Sequence, residues 1–220
     1  MDALILDFDG VLLDSEFEGN RHLAKLLTDL GHPTTVEEAL THFVGLSGSD
    51  FVAALEAMIG ARLPPEFYER RGAEDARVVR DGMSAVAGAV QFVRALPPGL
   101  LKAVASSSST HWVATHLRHL GLEADFGDHI YSGKEHVRRG KPAPDLYLYA
   151  ADQLGVPIGG CTIIEDSEVG ATGAVASGAR VIGLTAGSHC LPGHEDRLRA
   201  LGVLEIAHSF DEVTQLLGLT

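Results

Sequence analysis

Cysteine, basic side chains and long apolar runs are all scarce in this sequence. The two cysteines, Cys161 and Cys190, have a spacing that suggests neither a disulfide framework nor a thiolate metal site, so reduced thiols are expected. The 17 Lys and Arg residues are outnumbered by 30 Asp and Glu. The resulting formal charge of −13 argues against nucleic-acid partners, which need a basic surface.

No stretch reaches the roughly 20 apolar residues that a membrane-spanning helix requires. The first residues enter an apolar strand without the basic segment that opens a signal peptide. We therefore expect a cytoplasmic protein without a membrane partner. The sequence leaves the oligomeric state open, and a monomer is plausible. With 220 residues, 45% of them hydrophobic and 21% charged, the chain can bury a sizeable core.

Two aspartates follow the first apolar strand, in the run Leu-Ile-Leu-Asp-Phe-Asp-Gly at residues 4–10. Side chains two positions apart in an extended segment share a face, so Asp7 and Asp9 leave the strand together. Like charges this close need a counter-charge, and Mg²⁺ suits hard oxygen ligands. Gly10 permits the turn that brings Asp9 over the site. We interpret Asp7 as a nucleophile and Asp9 as a general acid and base; a polar turn that ends a strand is the alternative.

Apolar runs bounded by turn residues recur at 3–8, 101–105, 161–164 and 179–184, and helix-like segments separate them. Short buried strands that alternate with helices are typical of a mostly parallel sheet. The predicted fold class is α/β, with a Rossmann-like parallel-sheet core, helices on both faces and a small inserted all-helical cap domain.

Residues 16–82 show helical periodicity only, with breaks at Pro33, Gly45, Gly60 and the pair Pro64-Pro65. We predict helices at 16–30, 36–43, 49–59 and 65–80. A loop of this length without its own structure would be unusual inside a compact domain. We therefore predict a helical cap domain over 16–82, inserted into a discontinuous core of residues 1–15 and 83–220.

A serine run follows the second strand and opens a predicted helix near 111–120. Hydroxyl groups and free backbone amides at a helix start can cradle a phosphate. Ser106, nearest the strand end, is the main candidate, and Ser107 adjoins it. Helix capping alone would also explain the run.

Lys141 stands between Gly140 and Pro142, ahead of another predicted helix. A fixed ammonium group can offset the charge of a nucleophile and of a transferring phosphoryl group. Lys134, Arg138 and Arg139 compete for this role, and a solvated basic loop is an equal alternative.

Glu165 and Asp166 follow the strand at 161–164. Acids at the carboxyl end of a parallel strand are well placed to complete a metal site. Asp166 is the preferred ligand and Glu165 assists; helix capping by these acids is the alternative. All four clusters stand at the carboxyl ends of predicted strands, so one pocket can collect them.

With these four motifs in order, the sequence resembles the haloacid dehalogenase-like superfamily, in its helical-cap branch of phosphatases and β-phosphoglucomutases. The resemblance covers essentially all 220 residues. It implies the following roles: Asp7 as nucleophile and metal ligand, Asp9 as acid and base that reaches the metal through its carbonyl, Ser106 and Lys141 as phosphoryl-binding groups, and Asp166 with Glu165 as Mg²⁺ ligands. We count Ser107 and Gly10 with the phosphate-binding residues.

The family's dehalogenases lack the second acid and work without metal, so Asp9 argues against that activity. A cap histidine and a cap arginine that serve β-phosphoglucomutase fall near Gly19 and Gly48 here, and both are missing unless a neighbour such as Asn20, Arg21 or His22 substitutes. Substrate choice should reside in the cap. Its candidate polar groups, most of them expected on solvated helix faces, are Arg21, His22, His42, Arg70 and Arg71.

His189, Cys190 and His194 lie in one loop and raise the question of zinc. We reject a zinc site, because three ligands on an irregular loop have no fourth nearby in sequence. A loop at the pocket entrance, able to touch substrate, is the preferred interpretation.

The sequence thus predicts a Mg²⁺-dependent phosphatase that hydrolyses a small phosphorylated metabolite, a sugar or sugar-acid phosphate, through an aspartyl-phosphate intermediate. A sugar phosphomutase with the same chemistry is the first alternative. A non-catalytic protein that binds phosphometabolites is the second, and intact Asp7 and Asp9 argue against it, since a binder gains nothing from a nucleophile paired with an acid.

Overall fold

Six parallel strands form one sheet in the computed structural model, which describes residues 1–44, 46 and 48–219. The strand order is β3-β2-β1-β4-β5-β6. The strands are β1 (Ala3–Leu6), β2 (Leu101–Ser106), β3 (Ile130–Ser132), β4 (Cys161–Glu165), β5 (Arg180–Leu184) and β6 (Glu205–Ala207). In the register of the central strand, Ala3 lies opposite Leu101 on one side and Cys161 on the other.

Alternation along β1 divides the core into two apolar clusters, one on each face of the sheet. Leu4 and Leu6 belong to one cluster, and Ala3 and Ile5 belong to the other. Strands buried on both faces need apolar side chains at every position, which explains the continuous apolar runs in the sequence. The predicted α/β fold class is confirmed.

Helices cover both faces of this sheet. Those that follow the cap segment are α5 (Ala89–Ala95), α6 (Thr110–Leu120), α7 (Glu123–Phe126), α8 (Asp145–Gln153), α9 (Glu168–Ser177), α10 (His194–Ala200) and α11 (Phe210–Leu217). Phe92 of α5 packs on Phe210 of α11 over one face, with ring centroids 4.9 Å apart. Tyr147 of α8 and Ala171 of α9 belong to the cluster on the opposite face.

Four further helices follow β1 in the chain and precede α5 and β2. They are α1 (Ser15–Asp29), α2 (Val36–Phe43), α3 (Gly48–Ile59) and α4 (Pro65–Asp81), close to the predicted ranges. Leu23, Leu27, Phe43, Leu55 and Phe67 meet in a third apolar cluster, so these helices share a core of their own. That core is what a separate cap requires, although the domain boundaries themselves stay a prediction. Gly45, predicted as a helix break, lies outside the described residues, as do Ser47 and Thr220.

Two details of the strand prediction are wrong. The first strand ends at Leu6 instead of residue 8, because the turn toward Gly10 begins at once. The edge strands β3 and β6 have three residues each and are too short to leave a periodic pattern in sequence. Within the described ranges, no helix has the length and apolar character needed to cross a membrane.

Candidate active site

Lys141 lies between two buried carboxylates at the carboxyl end of the sheet. Its Nζ is 2.5 Å from Oδ1 of Asp7 and 2.6 Å from Oε1 of Glu165. The side chains of these three residues are 2%, 8% and 0% exposed, respectively. Asp7 is placed by the sheet itself, since its amide donates to the carbonyl of Ile164 at 3.0 Å. Strands β1 and β4, together with the loop before α8, therefore bring three predicted site residues together.

Glu165 is fixed by hydrogen bonds to both of its carboxylate oxygens. The Tyr147 hydroxyl donates to Oε1 at 2.7 Å. The backbone amides of Asp166 and Ser167 donate to Oε2 at 3.0 and 2.9 Å, and the Ser167 hydroxyl donates to it at 3.0 Å. Burial raises the pKa of Glu165, but Lys141 and these donors outweigh burial and hold the pKa below its usual value. The lowered pKa favours the charged form of Glu165, which orients Lys141.

Asp166 is 1% exposed and receives a hydrogen bond from His189, whose Nε2 lies 2.8 Å from Oδ2. Its other oxygen, Oδ1, has no hydrogen-bond partner among the described residues. Burial, with the nearby charge of Glu165, raises the pKa of Asp166 against the opposing effect of His189. A buried carboxylate oxygen without a donor is costly, unless a cation completes its environment.

Oxygen atoms of Asp7, Glu165 and Asp166 lie within 4.8 Å of one another, which is the spacing of a metal site. Burial is the main cause that raises the pKa of Asp7 well above its usual value; Glu165 and Asp166 add to it, and Lys141 opposes it. Three carboxylates around one ammonium group leave an excess of negative charge. This hard oxygen donor set, with Oδ1 of Asp166 free of protein donors in the described part of the chain, fits Mg²⁺.

Asp9 is held by donors from three other segments and is not part of that carboxylate group. Ser15 Oγ donates to its Oδ1 at 2.7 Å, and the indole Nε1 of Trp112 donates to the same oxygen at 3.1 Å. Its Oδ2 accepts from Ser108 Oγ at 2.7 Å and from Ser106 Oγ at 3.3 Å. The two aspartates that follow β1 therefore lie in different surroundings. Asp7 lies beside Lys141, and Asp9 is surrounded by neutral hydrogen-bond donors.

Gly10 adopts a φ of +86°, and a Cβ built on it would lie 2.0 Å from Oδ2 of Asp166. Both the turn and the close approach therefore require glycine. The Gly10 amide donates to the carbonyl of Leu13 at 2.7 Å. Ser107 is exposed in the loop between β2 and α6. The phosphate-binding roles of Gly10 and Ser107 stay predictions.

Several residues at the site are missing from the sequence prediction. Ser108 belongs to the same serine run as Ser106, so the run itself is the signal that could have identified it. Trp112 is the single tryptophan of the chain and lies in the first turns of α6. His189 is predicted only as part of a loop at the pocket entrance, without its contact to Asp166, whereas Ser15 and Tyr147 carry no distinguishing pattern.

The cap contributes Glu16, which the sequence prediction also omits. Burial is the first cause that raises its pKa to about 7, and the charges of Asp9 and Asp166 act in the same direction. His189 and Arg71 oppose this shift. Glu16 is therefore a cap side chain that interacts with the core acids Asp9 and Asp166, and Arg71 lies close enough to act on Glu16.

The remaining cap candidates lie mostly on solvated faces, as expected. Arg21 pairs with Glu18, and Arg70 pairs with Asp29, each at 2.5 Å. His42 is exposed on α2. His22 differs from these, since its Nδ1 is buried without a partner in the described part of the chain, and burial lowers its pKa.

Comparison with known proteins agrees with this geometry. Two relatives from Escherichia coli K12 are each 26% identical: 6-phosphogluconate phosphatase over 193 residues (87% of this chain, 86% of the relative) and hexitol phosphatase A over 217 residues (96% and 93%). A crystal structure of a HAD family hydrolase from Deinococcus radiodurans, with bound phosphate and sodium, is 32% identical with a TM-score of 0.86 and covers 100% of this chain and 97% of that one. The profile of the haloacid dehalogenase-like hydrolases matches residues 1–178. The predicted superfamily is thus confirmed, and the chain belongs to the haloacid dehalogenase-like hydrolases.

Proposed function

We propose that the protein is a Mg²⁺-dependent phosphatase that hydrolyses a small phosphorylated metabolite, a sugar or sugar-acid phosphate, through an aspartyl-phosphate on Asp7. The observation that carries the proposal is the buried contact of Lys141 Nζ with Asp7, 2.5 Å long, beside an Asp166 oxygen that has no hydrogen-bond partner among the described residues. The phosphatase names of the two E. coli relatives support the substrate class.

In the first half-reaction, a carboxylate oxygen of Asp7 attacks phosphorus and the bond to the substrate oxygen breaks. Asp9 gives its proton to that leaving oxygen. In the second half-reaction, Asp9 takes a proton from water, whose oxygen attacks the aspartyl-phosphate and releases inorganic phosphate. The donors around Asp9, from Ser15, Ser108 and Trp112, fix its orientation for both steps.

The groups proposed to hold Mg²⁺ are Asp7, Asp166 and the carbonyl of Asp9. Glu165 is proposed to assist them. Bound Mg²⁺ would neutralise phosphoryl charge as the phosphate transfers. Lys141 offsets the charge on the nucleophile and on the phosphoryl oxygens. Ser106, with Ser107 and Gly10, is proposed to receive the remaining phosphoryl oxygens.

The cap over residues 16–82 is proposed to choose the leaving group. The core groups described above are proposed to bind only phosphoryl and metal, whereas Glu16 interacts with Asp9 and Asp166 from the cap side and Arg71 acts on Glu16. A carboxyl and a guanidinium at that position suit the hydroxyl and carboxylate groups of a sugar or sugar acid. Cap closure would also exclude bulk water during transfer.

A screen of phosphorylated metabolites for phosphate release, with Mg²⁺ and with chelator, tests the proposal. We expect the protein to release phosphate from sugar phosphates with Mg²⁺ but not with chelator. The Asp7→Asn variant should release none. Asp152→Asn, which changes an exposed carboxyl on α8, is the matched control. Undiminished release by Asp7→Asn would overturn the nucleophile assignment. Isomer formation that depends on a sugar bisphosphate, with little free phosphate, would instead identify a phosphomutase. Binding without turnover would identify a non-catalytic binder.

A further inference from the structure

The loop between β5 and α10 places three metal-binding side chains around one point. Donor atoms of His189, Cys190 and His194 all lie within 4.8 Å of one another. His189 and His194 are 4% and 7% exposed, and Cys190 is half-buried. A thiol between two imidazoles is a donor set that borderline and soft cations prefer, and Mg²⁺ does not.

The spacing of the donors matches the geometry of zinc. Nε2 of His189 and Sγ of Cys190 are 3.6 Å apart. Zinc bonds of roughly 2.0 Å to nitrogen and 2.3 Å to sulfur, at a tetrahedral angle, put the two ligand atoms about 3.5 Å apart. These two side chains therefore need little movement to share one ion.

A fourth donor comes from the end of β4. Nε2 of His189 is 2.8 Å from Oδ2 of Asp166, and Nε2 of His194 is 2.5 Å from the Asp166 carbonyl oxygen. Asp166 Oδ1 has no partner within the residues that the structure describes. The sequence argument against zinc was the lack of a fourth ligand nearby in the chain. The adjacency of β4 and β5 answers that objection, because it brings the Asp166 carboxylate beside His189, outside the cluster of three loop donors, from where it must shift to join them.

The loop is fastened on both sides of the donor cluster. The amide and hydroxyl of Ser188 donate to the carboxylate of Asp14 at 3.2 and 2.6 Å. On the other side, Nε2–H of His194 donates to the carbonyl of Asp166, whereas the hydrogen bond that Nδ1 accepts from Arg197 Nη2 at 3.1 Å must be released before this nitrogen can coordinate an ion. The Cys190 amide donates to the carbonyl of Gly187 at 3.0 Å. Donors fixed in this way lose little conformational freedom when an ion binds.

We propose that His189, Cys190 and His194, together with Asp166, bind a divalent transition-metal ion of the Zn²⁺ class. The thiol of Cys190 loses its proton to solvent and coordinates as thiolate. His189 coordinates through Nε2 and carries its proton on Nδ1, which is free of partners in the described part of the chain. Asp166 exchanges its hydrogen bond from His189 for a bond to the ion.

The site shares Asp166 with the Mg²⁺ site of the proposed function, and this consequence alone rests on that function. The Asp166 carboxylate cannot be a full ligand of Zn²⁺ and of Mg²⁺ at the same time. Each cation should therefore weaken the binding of the other, so that Zn²⁺ acts as an inhibitor of the Mg²⁺-loaded protein. The Zn²⁺ site itself depends only on the three loop side chains and Asp166.

Co²⁺ tests the site directly, because a thiolate ligand gives Co²⁺ a charge-transfer band that oxygen ligands do not give. The metal-free full-length protein is titrated with Co²⁺ and then with Zn²⁺, without substrate. We expect the band to appear in the parent protein and in Cys161→Ala, where Cys190 is the sole remaining thiol. Absence of the band in both proteins would overturn the proposal.

Cys190→Ser should lose the band and bind Zn²⁺ about tenfold or more weakly, while its circular dichroism and Mg²⁺ binding match the parent. Equal Zn²⁺ affinity in parent and Cys190→Ser would overturn thiolate ligation. Saturating Mg²⁺ should lower Zn²⁺ affinity in the parent, and an affinity independent of Mg²⁺ would overturn the sharing of Asp166. The readouts need no turnover, so a protein that releases no phosphate would still report on this site.

Discussion

The indole Nε1 of Trp112 donates a hydrogen bond to Oδ1 of Asp9 over 3.1 Å, although 103 residues separate them in the chain. The contact arises because α6 begins directly after β2, which pairs with β1 in the centre of the sheet. Ser15 Oγ donates to the same oxygen at 2.7 Å. Trp112 is therefore a positioning residue for the proposed acid and base, from an element that carries no acid of its own at the site.

Replacement of Trp112 by phenylalanine should lower kcat about tenfold and change KM less, because one hydrogen-bond donor to the Asp9 carboxylate is lost while the hydroxyl donors of Ser15, Ser106 and Ser108 remain. The pH dependence of kcat should shift as well. Steady-state kinetics across pH on a responsive sugar phosphate measures both effects. His111→Ala, on the exposed start of the same helix, is the control; an unchanged kcat in Trp112→Phe would contradict the positioning role.

Replacement of Lys141 by methionine should destabilise the protein by about 3 kcal/mol in the presence of chelator, because it leaves Asp7 and Glu165 buried without their cation. Urea denaturation gives the free energy of unfolding. Added Mg²⁺ should recover part of the loss, since the ion supplies positive charge beside the same carboxylates. Lys134→Met, at an exposed position, should leave stability nearly unchanged. Equal stability of the two variants would show that the ion pair contributes nothing.

Glu16 should make stability fall as the pH rises. Its pKa in the folded protein is raised from 4.5 to about 7, so its contribution is complete below pH 4.5 and is lost as pH rises through 7. Glu16→Gln stays neutral throughout. We therefore expect the variant to exceed the parent in free energy of unfolding above pH 7, with a difference that shrinks toward pH 4.5.

Denaturation in chelator across this pH range measures the effect of Glu16. Glu37→Gln, which alters an exposed carboxyl on α2, controls for the loss of a charge. A Glu16→Gln variant whose difference from the parent is the same at every pH would contradict a half-buried, destabilised carboxylate at this position.

Gly10→Ala should cost about 2 to 4 kcal/mol of stability, since the new Cβ would overlap Oδ2 of Asp166 on a backbone with positive φ. Gly31→Ala is the matched control, because Gly31 has a φ of +92° and open space around its Cβ position. It should cost about 1 to 2 kcal/mol, from backbone strain alone. Thermal or urea denaturation of both variants separates crowding from strain, and equal losses would argue against the close approach.

The sequence predicts the sheet and its active edge well, because buried parallel strands leave continuous apolar runs that end in polar clusters. Asp7, Lys141, Glu165 and Asp166 could be grouped in advance for that reason. In the structure, Lys141 contacts Asp7 and Glu165, and oxygens of the three carboxylates lie within 4.8 Å of one another. The edge strands β3 and β6 could not be predicted, since three residues are too few for a periodic signal.

Residues that support the site were beyond prediction for a different reason. Trp112 and Tyr147 contact Asp9 and Glu165 through the packing of α6 and α8 on the sheet, and such helices are ordinary in their own sequence. His189 could be placed at the sheet edge but not on Asp166, because its hydrogen bond depends on the path of an irregular loop. A sequence pattern within one segment does not determine which side chains of distant segments will contact each other.

The central strand β1 has neighbours that begin at Leu101 and Cys161, and this topology bears on how the chain folds. Both pairings close long loops, which is slow compared with the formation of local helical contacts. The α1–α4 segment can therefore form its contacts early. Asp7 comes close to Glu165 and Asp166 only after β4 has paired with β1. Catalytic competence should be the last property that a refolding molecule regains, well after most of its helical signal has returned.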